Sequence, residues 1–143
     1  MYIDQISIFV ENRLGRLAEI TGIINASGID IRALSIADTA DFGILRLIVS
    51  DPQRAADALR GEGAAVSVTK VIAVRLDDHP GALHNVLSLL SDNGISVEYA
   101  YAFITRKEDD AYVILRIENL DEAAALLARS GIGLLPASEV YSL

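Results

Sequence analysis

The chain has 143 residues, enough for one ordinary domain or two small ones, and 52% of them are hydrophobic. Its formal net charge of −8 disfavours binding to nucleic acid or to an anionic membrane, because both attract a basic protein face. There is no cysteine, which excludes disulfides, cysteine zinc sites, iron–sulfur clusters and thiol nucleophiles. No basic N-terminal segment resembles a signal peptide, and no apolar run approaches the roughly 18 residues of a membrane span. We therefore expect a cytoplasmic protein without a metal or cofactor.

The first half of the chain predicts six elements in the order strand, helix, strand, strand, helix, strand. Strands show apolar residues at alternate positions or in short β-rich runs, and helices show them at helical spacing. Gly28 suits the left-handed position that ends a helix, and Asp51 before Pro52 is typical of a helix start. The strands are expected at 3–10, 29–37, 44–49 and 65–69, and the helices from Leu17 to Ser27 and from Pro52 to Gly61.

The same order begins again 66 residues later. Ile72, Val74 and Leu76 correspond to Ile6, Ile8 and Val10, and the offset becomes 70 after a longer charged hairpin at Arg106–Asp110. Such a repeat predicts two copies of one unit. We assign the α+β class, with two ferredoxin-like βαββαβ units at residues 1–69 and 70–143. Each unit is a four-stranded antiparallel sheet with two helices on one face. No linker separates the units, so the fourth strand of the first is expected to run into the first strand of the second.

Each predicted sheet leaves one face open. In the first unit, alternation places Phe9, Ile44, Arg46 and Ile48 opposite the helices. This face is partly apolar, so we expect another sheet or a second protomer to cover part of it. The strands at 29–37 and 96–104 would be sheet edges, which pairing between units or between chains would protect.

Two turns between a first strand and a first helix are the candidate binding sites. They are Asn12–Leu17 and Asp78–Leu83, and each has a glycine followed two residues later by a leucine. A helix N-terminus offers unpaired backbone N–H groups to an anion, and glycine permits close approach. Asn12, Asp78 and His79 add polar side chains for an ammonium group. The alternative is that both turns are only well-formed structural connections.

With these features the chain resembles a tandem pair of ACT domains. Asp78-His79-Pro80-Gly81-Ala82-Leu83 after the first strand is similar to the family's turn, and 40–52 is similar to a stretch of small stand-alone tandem ACT proteins of bacteria. In the first unit Gly15 and Leu17 match, whereas Leu14 replaces the proline. The residues expected to bind a ligand are Asn12, Leu14, Gly15, Arg16, Leu17, Asp78, His79, Pro80, Gly81, Ala82 and Leu83.

The resemblance implies a non-catalytic regulatory protein that binds an amino acid or a similar small metabolite. In the family the ligand lies where such a turn meets a neighbouring unit, so the resemblance also implies a homodimer and a regulated partner enzyme. A protein–protein interaction module without a small ligand is the alternative function, and an unrecognised small enzyme is a third. No set of catalytic residues can be assembled from the motifs.

For several other residues the sequence leaves two interpretations open. Arg46 and Arg116 interrupt apolar strands and are either solvated or carboxylate-paired, or they make an anion or interface contact. Tyr99, Tyr101 and Phe103 lie on one strand face and provide either packing or a ligand-stacking wall. His84 is expected at the surface.

Overall fold

A computed structural model describes residues 2–38, 41–104 and 110–143. The strands are β1 (Ile3–Glu11), β2 (Ile31–Asp38), β3 (Phe42–Val49), β4 (Val66–Asp77), β5 (Val97–Ala102) and β6 (Asp110–Ile117), and the helices are α1 (Arg16–Ala26), α2 (Pro52–Gly61), α3 (Ala82–Asp92), α4 (Leu120–Arg129) and α5 (Ala137–Ser142). The predicted hairpin Arg106–Asp110 lies outside the described residues except for Asp110, as do residues 39–40 of the first unit's connection. None of the described helices is both long and apolar enough to cross a bilayer.

One strand joins the two units. β4 is a 12-residue strand whose first half pairs antiparallel with β1 and whose second half pairs antiparallel with β6. The partner changes between Val71, which faces Ile3, and Ile72, which faces Leu115. The strands therefore form a single antiparallel sheet in the order β2-β3-β1-β4-β6-β5. The α+β fold and its two ferredoxin-like units are confirmed, and the proposed boundary between residues 69 and 70 lies inside β4.

Each unit has its own core between its helices and one sheet face. In the first unit Ile6, Ile8, Leu45 and Leu47 pack with Ile20 of α1 and the apolar residues of α2. The second unit repeats this arrangement with β4, β6, α3 and α4. The predicted helix start at Asp51 is confirmed, because its carboxylate accepts a hydrogen bond from the Arg54 backbone N–H at the start of α2. The alternation in the sequence therefore predicted the inward faces.

The opposite faces of the two halves of the sheet pack against each other. A third core joins Ile3, Ala33 and Ile48 of the first unit and Val71 of the shared strand β4 to residues of the second unit, namely Ala73, Tyr112, Ile114, Leu135 and Val140. The sheet edges meet as well, through a bridge between Ala33 of β2 and Phe103 after β5. The expected cover of the open face is thus supplied in part by the second unit of the same chain. Phe9 remains 60% exposed on the uncovered part.

The second unit departs from the ideal pattern at its fourth strand. That strand is reduced to an isolated bridge between Leu134 and Val74, supported by hydrogen bonds from the Arg75 N–H to the Gly133 carbonyl and from the Leu135 N–H to the Ala73 carbonyl. Pro136 then leads into α5, whose Val140 is fully buried in the core between the units. The chain therefore leaves the sheet early to close one end of this interface.

A buried polar cluster crosses the interface between the units. Gln5 is fully buried; its amide nitrogen donates to the Tyr99 hydroxyl at 2.8 Å, and its carbonyl accepts from the Tyr101 hydroxyl at 2.6 Å. The guanidinium carbon of Arg46 lies 3.7 Å from the centre of the Tyr99 ring. Burial raises the pKa of Tyr101, so its hydroxyl stays protonated and remains a donor. The tyrosines therefore serve packing, and Arg46 makes an interface contact.

Arg116 has a different environment from Arg46, although the two positions are equivalent in the repeat. Its Nε lies 3.4 Å from the Glu98 carboxylate, and its guanidinium donates to the Ile117 carbonyl at 2.6 Å. The carboxylate-paired reading is therefore confirmed for Arg116.

Replacing Tyr101 by phenylalanine should lower the free energy of unfolding by about 1–3 kcal/mol, because the buried carbonyl of Gln5 loses its donor. Urea unfolding followed by circular dichroism measures the change. Tyr99→Phe is the matched control: the Gln5 amide keeps the Ser7 hydroxyl at 3.2 Å as an acceptor, so the loss should be smaller. Equal effects of the two substitutions would contradict the role given to the Tyr101 hydroxyl.

Candidate functional site

The two candidate turns have the same backbone structure. The Arg13 N–H donates to the Glu11 carbonyl at 2.9 Å, and the His79 N–H donates to the Asp77 carbonyl at 2.8 Å. Gly15 and Gly81 precede α1 and α3 with φ of 81° and 92°, the left-handed region that favours glycine. Neither glycine has a side chain to cap its helix, so the first backbone N–H groups receive no side-chain partner there. The repeat of 66 residues is therefore a repeat of turn geometry.

Charged side chains occupy the first turn. Arg13 donates to both oxygens of Glu19, at 3.0 and 2.9 Å, and its Nε lies 3.2 Å from Glu11. Arg16 contacts the same two carboxylates, with Nη1 3.1 Å from Glu19 and Nε 3.3 Å from Glu11. The hydrogen bond from Arg13, and then that from Arg16, lower the pKa of Glu19 below its ordinary value. We call these four residues the first-turn ion cluster.

A cavity of about 300 Å³ lies beside the second turn. Its volume is at the lower end of the range for small-ligand sites. The repeat explains why space exists here, because Ala82 stands where the first turn has Arg16, and Asn85 stands where it has Glu19. We call this space the second-turn cavity; its lining consists of Arg75, Leu76, Asp77, His79, Ala82, Asn85, Val86, Gly131, Ile132 and Gly133.

The predicted ligand residues are distributed unevenly around this cavity. His79 and Ala82 line it, whereas Asp78, Pro80, Gly81 and Leu83 lie in the same turn and are exposed to solvent. In the first turn Asn12, Leu14, Gly15 and Leu17 are exposed, and Arg16 belongs to the ion cluster. The leucine that follows each glycine faces solvent, at 43% exposure for Leu17 and 39% for Leu83, and so does not belong to the core.

The sequence reasoning missed most of the cavity lining. Arg75 and Asp77 come from the end of β4, Asn85 from the first turn of α3, and Gly131 to Gly133 from the segment that replaces the fourth strand. Comparing the repeats position by position could have identified Asn85, because it takes the place of a charged residue. The glycines carried no such signal, since their approach to the turn depends on the pairing of β4 with Leu134.

The cavity combines charges of both signs with apolar surface. The Asp77 carboxylate lies 3.9 Å from Nε2 of His79, and the Arg75 Nε lies 3.4 Å from the Asp110 carboxylate. Val86 and Ile132 supply the apolar part of the wall, and Asn85 adds an amide that both donates and accepts hydrogen bonds. Such a site suits a small zwitterion. Within the part of the chain that the structure describes, no three histidine, aspartate or glutamate side chains are grouped to hold a metal ion.

The fold and the repeated glycine turns define a tandem of two ferredoxin-like domains that share one strand. Residues 1–139 match the family model described as ACT domain pair, and the chain belongs to that family. A comparison with curated proteins finds no match.

Solved structures agree with this assignment. The crystal structure of a protein from Bacteroides thetaiotaomicron is 42% identical, covers 100% of this chain and 98% of its own, and superposes with a TM-score of 0.93. The ligand-free regulatory subunit of aspartate kinase from Thermus thermophilus superposes with a TM-score of 0.65 at 16% identity, over 88% of this chain and 90% of that one. The corresponding subunit from Thermus flavus gives 0.60 at 16% identity, over 90% and 92%. At these low identities the two regulatory subunits share the fold with this chain.

The lowered pKa of Glu19 predicts a pH-dependent contribution to stability. A carboxylate whose pKa is depressed in the folded state stabilises that state above its unfolded pKa, and the effect disappears as the pH falls through the folded pKa. Glu19→Gln should therefore destabilise the protein at neutral pH, and the difference from the wild type should shrink as the pH falls below about 4.3, the ordinary pKa of a glutamate, and vanish once the pH is below the lowered pKa of Glu19 in the folded state. Urea unfolding across this range measures it.

The control for Glu19→Gln is Glu62→Gln at the end of α2, which removes one negative charge away from the first turn. A Glu19→Gln effect that persists unchanged at low pH would show that the ion cluster does not cause it.

Proposed function

We propose that this protein is a non-catalytic regulatory protein that binds a free amino acid in the second-turn cavity. The observation that supports this most is the cavity itself, which brings a carboxylate and a guanidinium to one uncapped helix start in a member of the ACT domain pair family. The structural similarity to regulatory subunits of aspartate kinase from two Thermus species agrees with a regulatory role.

The ammonium group of the ligand is assigned to Asp77. Its side chain is 86% exposed, and the imidazole of His79, 3.9 Å away, pairs with it electrostatically only when protonated. An ammonium group at this position would form a charge-assisted hydrogen bond, which is stronger than a neutral one. Gly131, Ile132 and Gly133 line the same wall of the cavity.

The carboxylate group of the ligand is assigned to the start of α3. Gly81 leaves the first N–H groups of the helix without a side-chain cap, and the positive end of the helix dipole favours an anion there. Arg75 supplies a full positive charge at the neighbouring wall, although Asp110 shares it. The ligand side chain then faces Asn85, Val86 and Ile132, which admit a small polar or apolar group.

An interaction module is the second candidate function, and exposed apolar residues favour it. Phe9 and Phe42 are 60% and 54% exposed, and both belong to the sheet face that the second unit leaves uncovered.

We include homodimerisation and a partner enzyme in the proposal, because this uncovered face provides an area for either. Sedimentation equilibrium tests the dimer, and a monomer at all concentrations would contradict it. A cytoplasmic location also stays a prediction.

Thermal-shift measurements with the twenty amino acids test the binding function. A ligand at a hundred times its dissociation constant should stabilise the fold by about 2.7 kcal/mol. Asp77→Asn should weaken the binding of the amino acid that stabilises the wild type by at least about tenfold, since one charge-assisted contact is lost. Asp92→Asn, at the far end of α3, is the matched control and should leave affinity unchanged. No stabilisation by any amino acid at millimolar concentration would contradict the proposal and favour the interaction module.

A further inference from the structure

The two turns differ in their side chains: Arg16 contacts two carboxylates in the first turn, whereas a cavity borders the second. We propose that the guanidinium of Arg16 is a built-in occupant of the first turn, held by Glu11 and Glu19, so that of the two described turns the second, with its cavity, is the one open to a ligand. The statement about the second turn rests on the proposed function, whereas the statement about Arg16 rests on the first turn alone.

The burial of Arg16 distinguishes it from the other arginine of the ion cluster. Its side chain is 16% exposed, whereas that of Arg13 is 49% exposed, although both contact the same carboxylates. The Nε atom of Arg16 is shielded from solvent and lies 3.3 Å from Glu11, in ion-pair contact but without the alignment of a hydrogen bond. A charged group is buried only where its surroundings compensate the loss of water. The first turn therefore holds this guanidinium between two half-exposed carboxylates and shields its Nε from solvent.

The second turn keeps the anion and lacks the internal cation. Asp77 is the counterpart of Glu11, so the carboxylate at the end of the strand is present in both units. Ala82 replaces Arg16 and removes the guanidinium, and Asn85 replaces Glu19 and removes the second carboxylate that held it. The wall that Ala82 and Asn85 leave behind borders a cavity of about 300 Å³. In the first unit Arg16 supplies the cation that pairs with the carboxylate. In the second unit a ligand supplies it.

Surface ion pairs contribute little in general, and the ion cluster could be no more than a solvated network. The two interpretations differ in what happens when the Arg16 side chain is removed. A network at the surface leaves no enclosed space, whereas an internal occupant leaves a cavity lined by Glu11 and Glu19 that accepts a small guanidinium compound. Arg13 provides the comparison, because its removal deletes the same charge from the exposed side of the cluster.

Chemical rescue by ethylguanidinium therefore tests the proposal without the natural ligand. Arg16→Ala should lower Tm, and millimolar ethylguanidinium should restore at least half of the loss. Wild type and Arg13→Ala should not respond, and ethylammonium should restore less because it cannot contact both carboxylates through a planar fork. An Arg16→Ala variant that has the wild-type circular dichroism spectrum and does not respond to ethylguanidinium would overturn the proposal.

A second variant covers the case in which Arg16→Ala does not fold. Ala82→Arg combined with Asn85→Glu copies the first-turn residues into the second turn. It should abolish the thermal shift that an amino acid gives the wild type, while the wild type binds one ligand per chain by isothermal titration calorimetry. Two ligands per chain, or full binding by the double variant, would overturn the proposal. If no amino acid binds the wild type, the proposed function fails, and Arg16→Lys still decides the role of Arg16: a stable Arg16→Lys variant whose Tm ethylguanidinium leaves unchanged supports it, and one whose Tm ethylguanidinium raises overturns it.

Discussion

Strand β4 makes backbone hydrogen bonds to both halves of the sheet, and the arrangement of the two units depends on this sharing. Because β1 pairs with its first half and β6 with its second half, the units cannot move apart without breaking a ladder. A linker of glycine and serine would have allowed independent motion. Here the chain passes from one domain to the next within a single strand, so the two glycine turns are held in a fixed relation.

The fixed relation allows the uncovered sheet faces to become an interface inside the chain. Gln5 shows how specific this interface is, since its buried amide donates to the Tyr99 hydroxyl and accepts from the Tyr101 hydroxyl, both on β5. A buried amide without partners would cost more free energy than a polar contact normally contributes. Packing between the units also explains the short fourth strand of the second unit. Helix α5 places Val140 in the interface and could not do so if the strand continued. Packing between the units thus shortens one strand and, through Gly133, shapes a wall of the second-turn cavity.

Local sequence patterns were sufficient to predict most of the fold. Asp51 at a helix start, Gly28 at a helix end and the alternating isoleucines of β1 each depend on neighbours within a few residues, and the structure confirms them. The repeat predicted the equal geometry of the two turns. What the sequence did not predict depends on contacts between distant segments: the bridge at Leu134, the position of α5, and the approach of Gly131 to the turn.

The candidate site, like the fold, was predicted from the sequence only in part. The sequence located both turns and indicated that their chemistries differ, but it did not predict which contacts the side chains at equal positions make. Arg16 and Ala82 occupy one position of the repeat, yet one contacts the carboxylates of its turn and the other borders a cavity. A duplicated unit preserves its backbone under selection for folding, because the glycines and buried residues have few replacements. Its surface residues are free to diverge, and here Ala82 and Asn85 stand where the first turn has Arg16 and Glu19.

The most direct measurement of this account is an amide nuclear magnetic resonance titration of the wild-type protein with the amino acid that stabilises it. Glycine amides lie at both turns, so the same kind of probe reports on each. The account predicts that the cross-peaks of Gly81, Gly131 and Gly133 shift on saturation while those of Gly15 and Gly63 stay in place. Equal shifts at both turns, or shifts confined to Gly15 and Gly63, would contradict it.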